Sequence, residues 1–275
     1  MTALIIVLSV LLFLLLLWLF LVFPSPCKKG ARAFTSVRYA HRGLHGTGVA
    51  ENSLSAFRLA VGAGYGIELD VRVSKDGKVV ICHDPDLRRV AGLDRRVKDM
   101  TAEELSAVSL CGTKDGVPLL TDVLALVNGR VPLLIEIKED TAADREVTPK
   151  LLDILKEYRG PVMIESFNPL SLSRVRKAAP HIVRGLLCDH YSKDKKMRTL
   201  QFFAMERFFL NFLCRPQFIA YDIDERKFLP YRIFSAVFRP VRFAWTVRSA
   251  GVEADARAHG FDDVIFEHYI PEETR

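Results

Sequence analysis

Eight short apolar runs alternate with helical patterns from Val37 to the end of the chain, and no other feature limits the fold as strongly. The strand candidates are Val37–His41, Gly66–Val73, Pro132–Ile137, Val162–Phe167, Ile182–Leu187, Phe218–Tyr221, Arg242–Val247 and Asp263–Glu267. Amphipathic stretches separate them. Asn52 can either cap a helix with Leu54, Phe57 and Val61 on one face or donate to a ligand, and Val147, Leu151, Ile154, Leu155 and Tyr158 form another stripe. Strands alternating with helices imply a parallel sheet. Eight such units in about 240 residues fit a closed (β/α)8 TIM barrel. A doubly wound open sheet is the competing architecture, but no GxGxxG opens a helix after the first strand. One stretch breaks the pattern after the second strand. There a short strand, Val79–Cys82, leads into a long polar segment. Residues 84–117 are therefore expected to form a small insertion near the barrel mouth, with a helix over 102–108.

Ahead of the barrel, Met1 to Phe23 carries no charged side chain. About 20 apolar residues cross a bilayer as a helix. A cleaved signal peptide has a basic start and a shorter apolar core. Neither is present, and Pro24-Ser25-Pro26 follows the run. Residues 1–23 read as a single transmembrane anchor, 24–36 as a basic linker and 37–275 as the barrel domain. Lys28, Lys29, Arg32 and Arg38 follow the run and no cation precedes it, which predicts a single-pass protein of the cell membrane with its domain on the cytoplasmic side. The five cysteines are scattered without metal-ligand spacing and read as free thiols. The net charge of +6 comes with no nucleic-acid motif. Attraction to anionic lipid is the more economical account of it.

The chemistry concentrates between Tyr39 and Asp84. His41 and His83 bracket Glu51, Glu68 and Asp70, and Arg42 follows the first histidine. Glu68 and Asp70 are two apart on a predicted strand, so both point to one face. Buried carboxylates repel, and a divalent cation relieves that repulsion. Oxygen donors suit Mg²⁺ or Ca²⁺. Glu136 adds a third carboxylate from the next strand, with Lys138 two residues on. Imidazoles titrate near neutrality, so a histidine pair can act as base and acid in turn. Arg42 offers a planar fork to a phosphate oxygen. Residues Lys193 to Arg215 mix cations with Phe202, Phe203, Phe208, Phe209 and Phe212. They read either as a barrel helix or as a helix lying in lipid headgroups.

These residues resemble the glycerophosphodiester phosphodiesterase family. The matching motifs are His41-Arg42-Gly43, Glu51-Asn52-Ser53, Glu68-Leu69-Asp70, His83-Asp84 and Glu136-Ile137-Lys138, with weaker matches at Ser166-Phe167 and Trp245-Thr246-Val247. Ala50 and Ser53 depart from the family's usual proline and threonine without removing a functional group. The resemblance implies a TIM barrel and one divalent cation, Mg²⁺ or Ca²⁺, held by Glu68, Asp70 and Glu136 with Glu51 nearby. His41 and His83 would be the acid–base pair, Arg42 and Lys138 the phosphate ligands, and Trp245 a wall beside the alcohol or glycerol group. The implied reaction is hydrolysis of a glycerophosphodiester to glycerol 3-phosphate and an alcohol, with water or the substrate's own hydroxyl as first nucleophile. A lysophospholipase D acting on membrane lysophospholipids is the nearest alternative, and an inactive membrane-tethered binding protein is the alternative of another class.

Overall fold

The computed structural model describes residues 2–141 and 143–271. Met1 of the expected anchor and residues 272–275 of the expected barrel domain lie outside them. The strands are β1 (Tyr39–Ala40), β2 (Gly66–Val73), β3 (Val79–Ile81), β4 (Asp86–Leu87), β5 (Leu93–Arg96), β6 (Leu133–Ile137), β7 (Val162–Ser166), β8 (Val183–Cys188), β9 (Phe218–Asp222), β10 (Val241–Val247) and β11 (Asp263–Phe266). The order β1-β2-β6-β7-β8-β9-β10-β11 closes on itself, because β1 pairs in parallel with both β2 and β11. All eight expected strands are staves of this parallel barrel.

Period-2 alternation divides the core in two. On β6, Leu133, Ile135 and Ile137 face outward and pack with helix residues such as Val123 and Leu151. Leu134 faces inward and joins Tyr39, Met163, Phe218 and Phe243 in the lower half of the barrel. Gly185 leaves room for the Phe218 ring, since a Cβ there would lie 2.1 Å from it. The next inward positions toward the C-terminal rim are Glu68, Asp70, Glu136 and Glu165, all buried. Apolar filling below and charge above put the site where barrel enzymes carry it.

The segment expected as a linker is not free of the barrel. Lys29–Arg32 forms a helical turn, Ala31 is fully buried, and Phe34 packs beneath the lower cluster. The Tyr39 hydroxyl donates to the Phe34 carbonyl at 2.9 Å. Two apolar positions within a basic run are enough to seat it against the barrel floor.

Thr2–Val22 is a 21-residue helix, the one described helix long and apolar enough to cross a membrane. Its early side chains are exposed, while Trp18 and Val22 at its end pack on the domain. All five cysteines are free thiols, of which Cys82, Cys188 and Cys214 are buried.

Two excursions leave the barrel. The first, 82–117, contains the insertion expected over 84–117. β3 runs antiparallel to β2, β4 and β5 form a hairpin, and Thr101 and Glu104 make a capping box for the helix Ala102–Ser106. The second, 189–217, departs from the single helix expected over 193–215. It consists of two 3₁₀ turns and two short helices, Leu200–Glu206 and Asn211–Cys214. The break is at Phe208, which has φ +63° and stacks on Phe234 at 4.1 Å. Burying that ring against the helix Leu229–Phe238 requires a left-handed residue, which ends the helix.

Candidate active site

The C-terminal rim of β2 and β6 supplies the centre. Register pairs Asp70 with Glu136, and Glu68 lies two residues below Asp70 on the same face. One oxygen from each of Glu68, Asp70 and Glu136 lies within 4.8 Å of the other two. Lys138 Nζ is 3.1 Å from Asp70 Oδ1 and 2.8 Å from Glu136 Oε1. Four expected residues are thereby brought together.

The turn after β1 brings in the rest. Gly43 has φ +80°, and a Cβ there would lie 2.9 Å from Phe57 Cδ1, so the turn packs tightly over the first barrel helix. The Arg42 backbone N–H donates to Glu68 Oε2 at 2.9 Å, and its guanidinium donates to Glu51 Oε1 at 2.7 Å. Arg42 Nε lies 3.5 Å from Asp70 Oδ2. Glu51 stands apart from the three-carboxylate cluster. Both its oxygens accept hydrogen bonds from Arg89 at 2.7 Å, so it stands as the partner of two guanidinium groups. Asn52 is not the helix cap. Ser53 accepts from the Ala56 N–H instead, while Asn52 Nδ2 donates to Asp70 Oδ2 at 2.8 Å.

Both histidines are oriented by carboxylates. His41 Nδ1 donates to Glu267 Oε2 at 2.6 Å, and its Nε2 lies 4.0 Å from Glu68 Oε2. His83 Nδ1 donates to Asp84 Oδ1 at 2.6 Å. A carboxylate accepts only, so each ring keeps its proton on Nδ1 and has a free Nε2 for proton transfer. Burial lowers the pKa of His41, against the opposing Glu267 hydrogen bond, and burial likewise lowers His83.

The carboxylates divide by environment. Burial would raise Asp70, but the charges of Lys138, His83 and Arg42 outweigh it and hold Asp70 well below the usual range. Burial, with the charges of Asp70 and Glu136, pushes Glu68 well up. Glu136 is pushed up to about 7, by burial first and despite Lys138. The sequence reading missed Glu165, which pairs in register with Glu136 and is also pushed up by burial. Its Oε2 has no hydrogen-bond partner among the described residues. Four buried carboxylates around one ammonium leave unbalanced negative charge, so this donor set fits a hard divalent cation.

Trp245 on β10 meets Phe167, which follows β7, edge-on at 5.6 Å across the mouth. Two cavities meet at Lys138 and Asp140. One, of about 430 Å³, is lined by Arg72, Lys75, Arg96, Lys98 and Arg145 among others. The other, of about 350 Å³, runs toward the second excursion.

Of the residues missed from sequence, two had a signal. Glu267 ends the last expected strand as His41 ends the first, and closure of the barrel makes those ends neighbours, with the His41 N–H donating to Phe266 O at 2.9 Å. Glu165 follows the period-2 pattern of its strand. Arg89, inside a polar insertion, had none.

A family model described as the glycerophosphoryl diester phosphodiesterase family matches residues 41–218. A glycerophosphodiester phosphodiesterase of Caldanaerobacter subterraneus subsp. tengcongensis is 35% identical over 187 residues, covering 63% of this chain and 76% of that one. A lysophospholipase D of Rattus norvegicus is 31% identical over 140 residues, covering 46% of this chain and 43% of its own. The crystal structure of a glycerophosphodiester phosphodiesterase from Thermotoga maritima superimposes with a TM-score of 0.65 at 29% identity, covering 84% of this chain and 93% of that one. An Oleispira antarctica phosphodiesterase, in complex with the product sn-glycerol-3-phosphate, shares the fold with a TM-score of 0.70 at 20% identity, covering 86% of this chain and 94% of that one.

Proposed function

The chain belongs to the glycerophosphoryl diester phosphodiesterase family, and on that premise we propose that it hydrolyses glycerophosphodiesters to glycerol 3-phosphate and an alcohol, using one divalent cation and paired-histidine acid–base catalysis. The observation that carries this reading is a pair of carboxylate-held imidazoles beside one cluster of buried carboxylates. Glu68, Asp70 and Glu136 would hold the cation, either Mg²⁺ or Ca²⁺. When bound, it supplies positive charge against the phosphate oxygens as the transition state forms.

The chain's own residues do the rest. Lys138 and Arg42 face the diester oxygens, with Glu51 and Arg89 fixing the Arg42 guanidinium. One histidine takes the proton of the attacking hydroxyl as the new P–O bond forms. The other enters the step doubly protonated, as imidazolium, and gives its Nε2 proton to the alkoxide as the old P–O bond breaks, keeping the Nδ1 proton on its carboxylate. Asn52 holds Asp70 in place, and Trp245 bounds the space for the alcohol or glycerol group.

The substrate side has a second reading, a lysophospholipase D activity. It is favoured by the relative of that name and by the apolar helix Thr2–Val22, which we read as a single membrane anchor with the domain on the cytoplasmic side. The cations that follow this helix support that orientation. A catalytically inert tethered protein is disfavoured, because every motif side chain is present.

The test follows glycerol 3-phosphate release from glycerophosphocholine and choline release from lysophosphatidylcholine, each with Mg²⁺, Ca²⁺ or EDTA. Release of glycerol 3-phosphate that EDTA abolishes is expected. No turnover of either diester under any of these conditions would refute the hydrolase reading.

A further inference from the structure

The groove that leaves Lys138 toward the second excursion changes character along its length. Glu136 and Lys138 form its polar end, and Phe202, Met205, Leu210 and Leu213 form its far wall. None of these four apolar residues belongs to the chemistry described above. Tyr191 lines the same groove, and its buried hydroxyl has no hydrogen-bond partner among the described residues. The groove therefore offers one apolar arm leading away from the Lys138 ammonium.

The apolar end lies against the helix read as the membrane anchor. In the turn Asn211–Cys214, Leu213 lines the groove while its neighbour Phe212 meets Phe20 at 5.6 Å. Asn211 Nδ2 donates to the Val22 carbonyl at 2.9 Å. Arg215 Nη1 donates to the Phe20 and Phe23 carbonyls at 2.9 and 2.7 Å. One helical turn thus separates the groove from the end of the apolar helix. On the same excursion Leu200 is 84% and Phe203 46% exposed. Exposed apolar side chains thus stand on both this excursion and the apolar helix, with Arg207 over Phe203 on the one and Arg215 over Phe20 at the other. A surface of that composition suits a bilayer interface.

We propose that this groove binds the single acyl chain of a membrane-resident one-chain glycerophosphodiester lipid, with the phosphate at Lys138 and the chain along Phe202, Met205, Leu210 and Leu213. The proposal rests on the phosphodiesterase reading of the site and names its substrate class. One groove of about 350 Å³ accommodates a single chain. The lipid then stays partly in the bilayer while its diester reaches the rim.

The experiment uses the full chain in lipid nanodiscs. Choline release is followed from lysophosphatidylcholines of increasing acyl length, and glycerol 3-phosphate release from glycerophosphocholine. The specificity constant for the lysolipids should rise by up to about fourfold per methylene until the groove is full. Met205→Trp fills the groove and should lower that constant at least tenfold relative to the constant for glycerophosphocholine. Leu213→Phe should give a smaller drop in the same ratio. Chain-length independence, or equal loss on both substrates, would overturn the proposal.

A second readout does not need turnover. A diazirine-bearing lysophosphatidylcholine should label peptides spanning 202–213 in the wild type, and should lose that label in Met205→Trp. Label confined to residues 2–22 refutes the groove even if the protein hydrolyses glycerophosphocholine. Label on 202–213 in a protein inactive toward both diesters would instead support the groove and remove the proposed reaction.

Discussion

The two excursions from the barrel are held in different ways. The first, 82–117, closes around a cluster separate from the main core, in which Leu87, Val97, Leu105 and Leu110 pack with Ala50 and Val80 from outside the excursion. The second, 189–217, has no separate cluster. Its buried Phe208 and Cys214 belong to the main core, and its outer turn leans on the helix Thr2–Val22. The first delivers His83 and Arg89 to the rim, where the proposed acid–base role of His83 needs close placement. Its separate core fixes that position. The second delivers a wall of apolar side chains, whose packing tolerates adjustment. Precision of placement thus goes with an independent core, and adaptability with a shared one.

Removing the chemistry of the first excursion should have the largest effect. His83→Ala is expected to lower kcat by about 10³-fold with an unchanged melting temperature. A rate within tenfold of wild type would break the paired-histidine scheme. Asp70→Asn comes next. It should abolish the increase in melting temperature that Mg²⁺ or Ca²⁺ gives the wild type, and lower activity by about 10²-fold. An undiminished metal-induced shift would move the cation elsewhere.

Glu267→Gln tests how His41 is held, and the expected loss is about tenfold. Burial alone would raise Glu267, but the hydrogen bond from His41, with His45 Nε2 3.8 Å away, holds it well below the usual range, so it is charged at neutral pH. That charge opposes the burial that lowers His41. Removing it lowers the His41 pKa further, so the limb of the pH–rate profile governed by His41 must move to lower pH. A shift to higher pH would exclude this role.

Leu105→Ala weakens this separate core without touching the site. A cost of about 3 kcal/mol is expected for a fully buried leucine. Hydrogen exchange should then accelerate by about 10²-fold across 84–117 and leave β6 to β9 unchanged. Equal acceleration throughout would show that the insertion is not a separate unit. Arg215→Ala should act least, raising exchange a few-fold at 211–215 and leaving glycerophosphocholine turnover unaltered. A change in that turnover would mean that the anchor contact reaches the chemistry.

How legible each part was depends on the range of the interaction behind it. The eight strands were legible because inward and outward positions alternate within each run, as in Leu134-Ile135-Glu136-Ile137. The ordered pairs Glu68/Asp70 and Glu136/Lys138 were legible for the same reason. Asn52 reads as a helix cap or a ligand donor, because its partner Asp70 is close only once β2 is in place. Glu51 is expected near the cation, and its hydrogen bonds to Arg42 and Arg89 were not legible because Arg89 reaches it only from the folded insertion. The single helix expected over 193–215 failed because Phe208 is drawn to Phe234, a ring distant in sequence.

The sequence by itself determined the barrel, the apolar helix and the motif residues that meet at the rim, because local periodicity and residue chemistry suffice for these. Only the tertiary structure decided which carboxylate holds which histidine, where Glu51 and Asn52 are engaged, and that a groove joins Lys138 to the end of the apolar helix. Those outcomes depend on side chains that come within a few ångströms only when the eighth strand closes on the first and the second excursion docks on the helix that precedes the barrel. Such contacts leave no periodic trace in the chain.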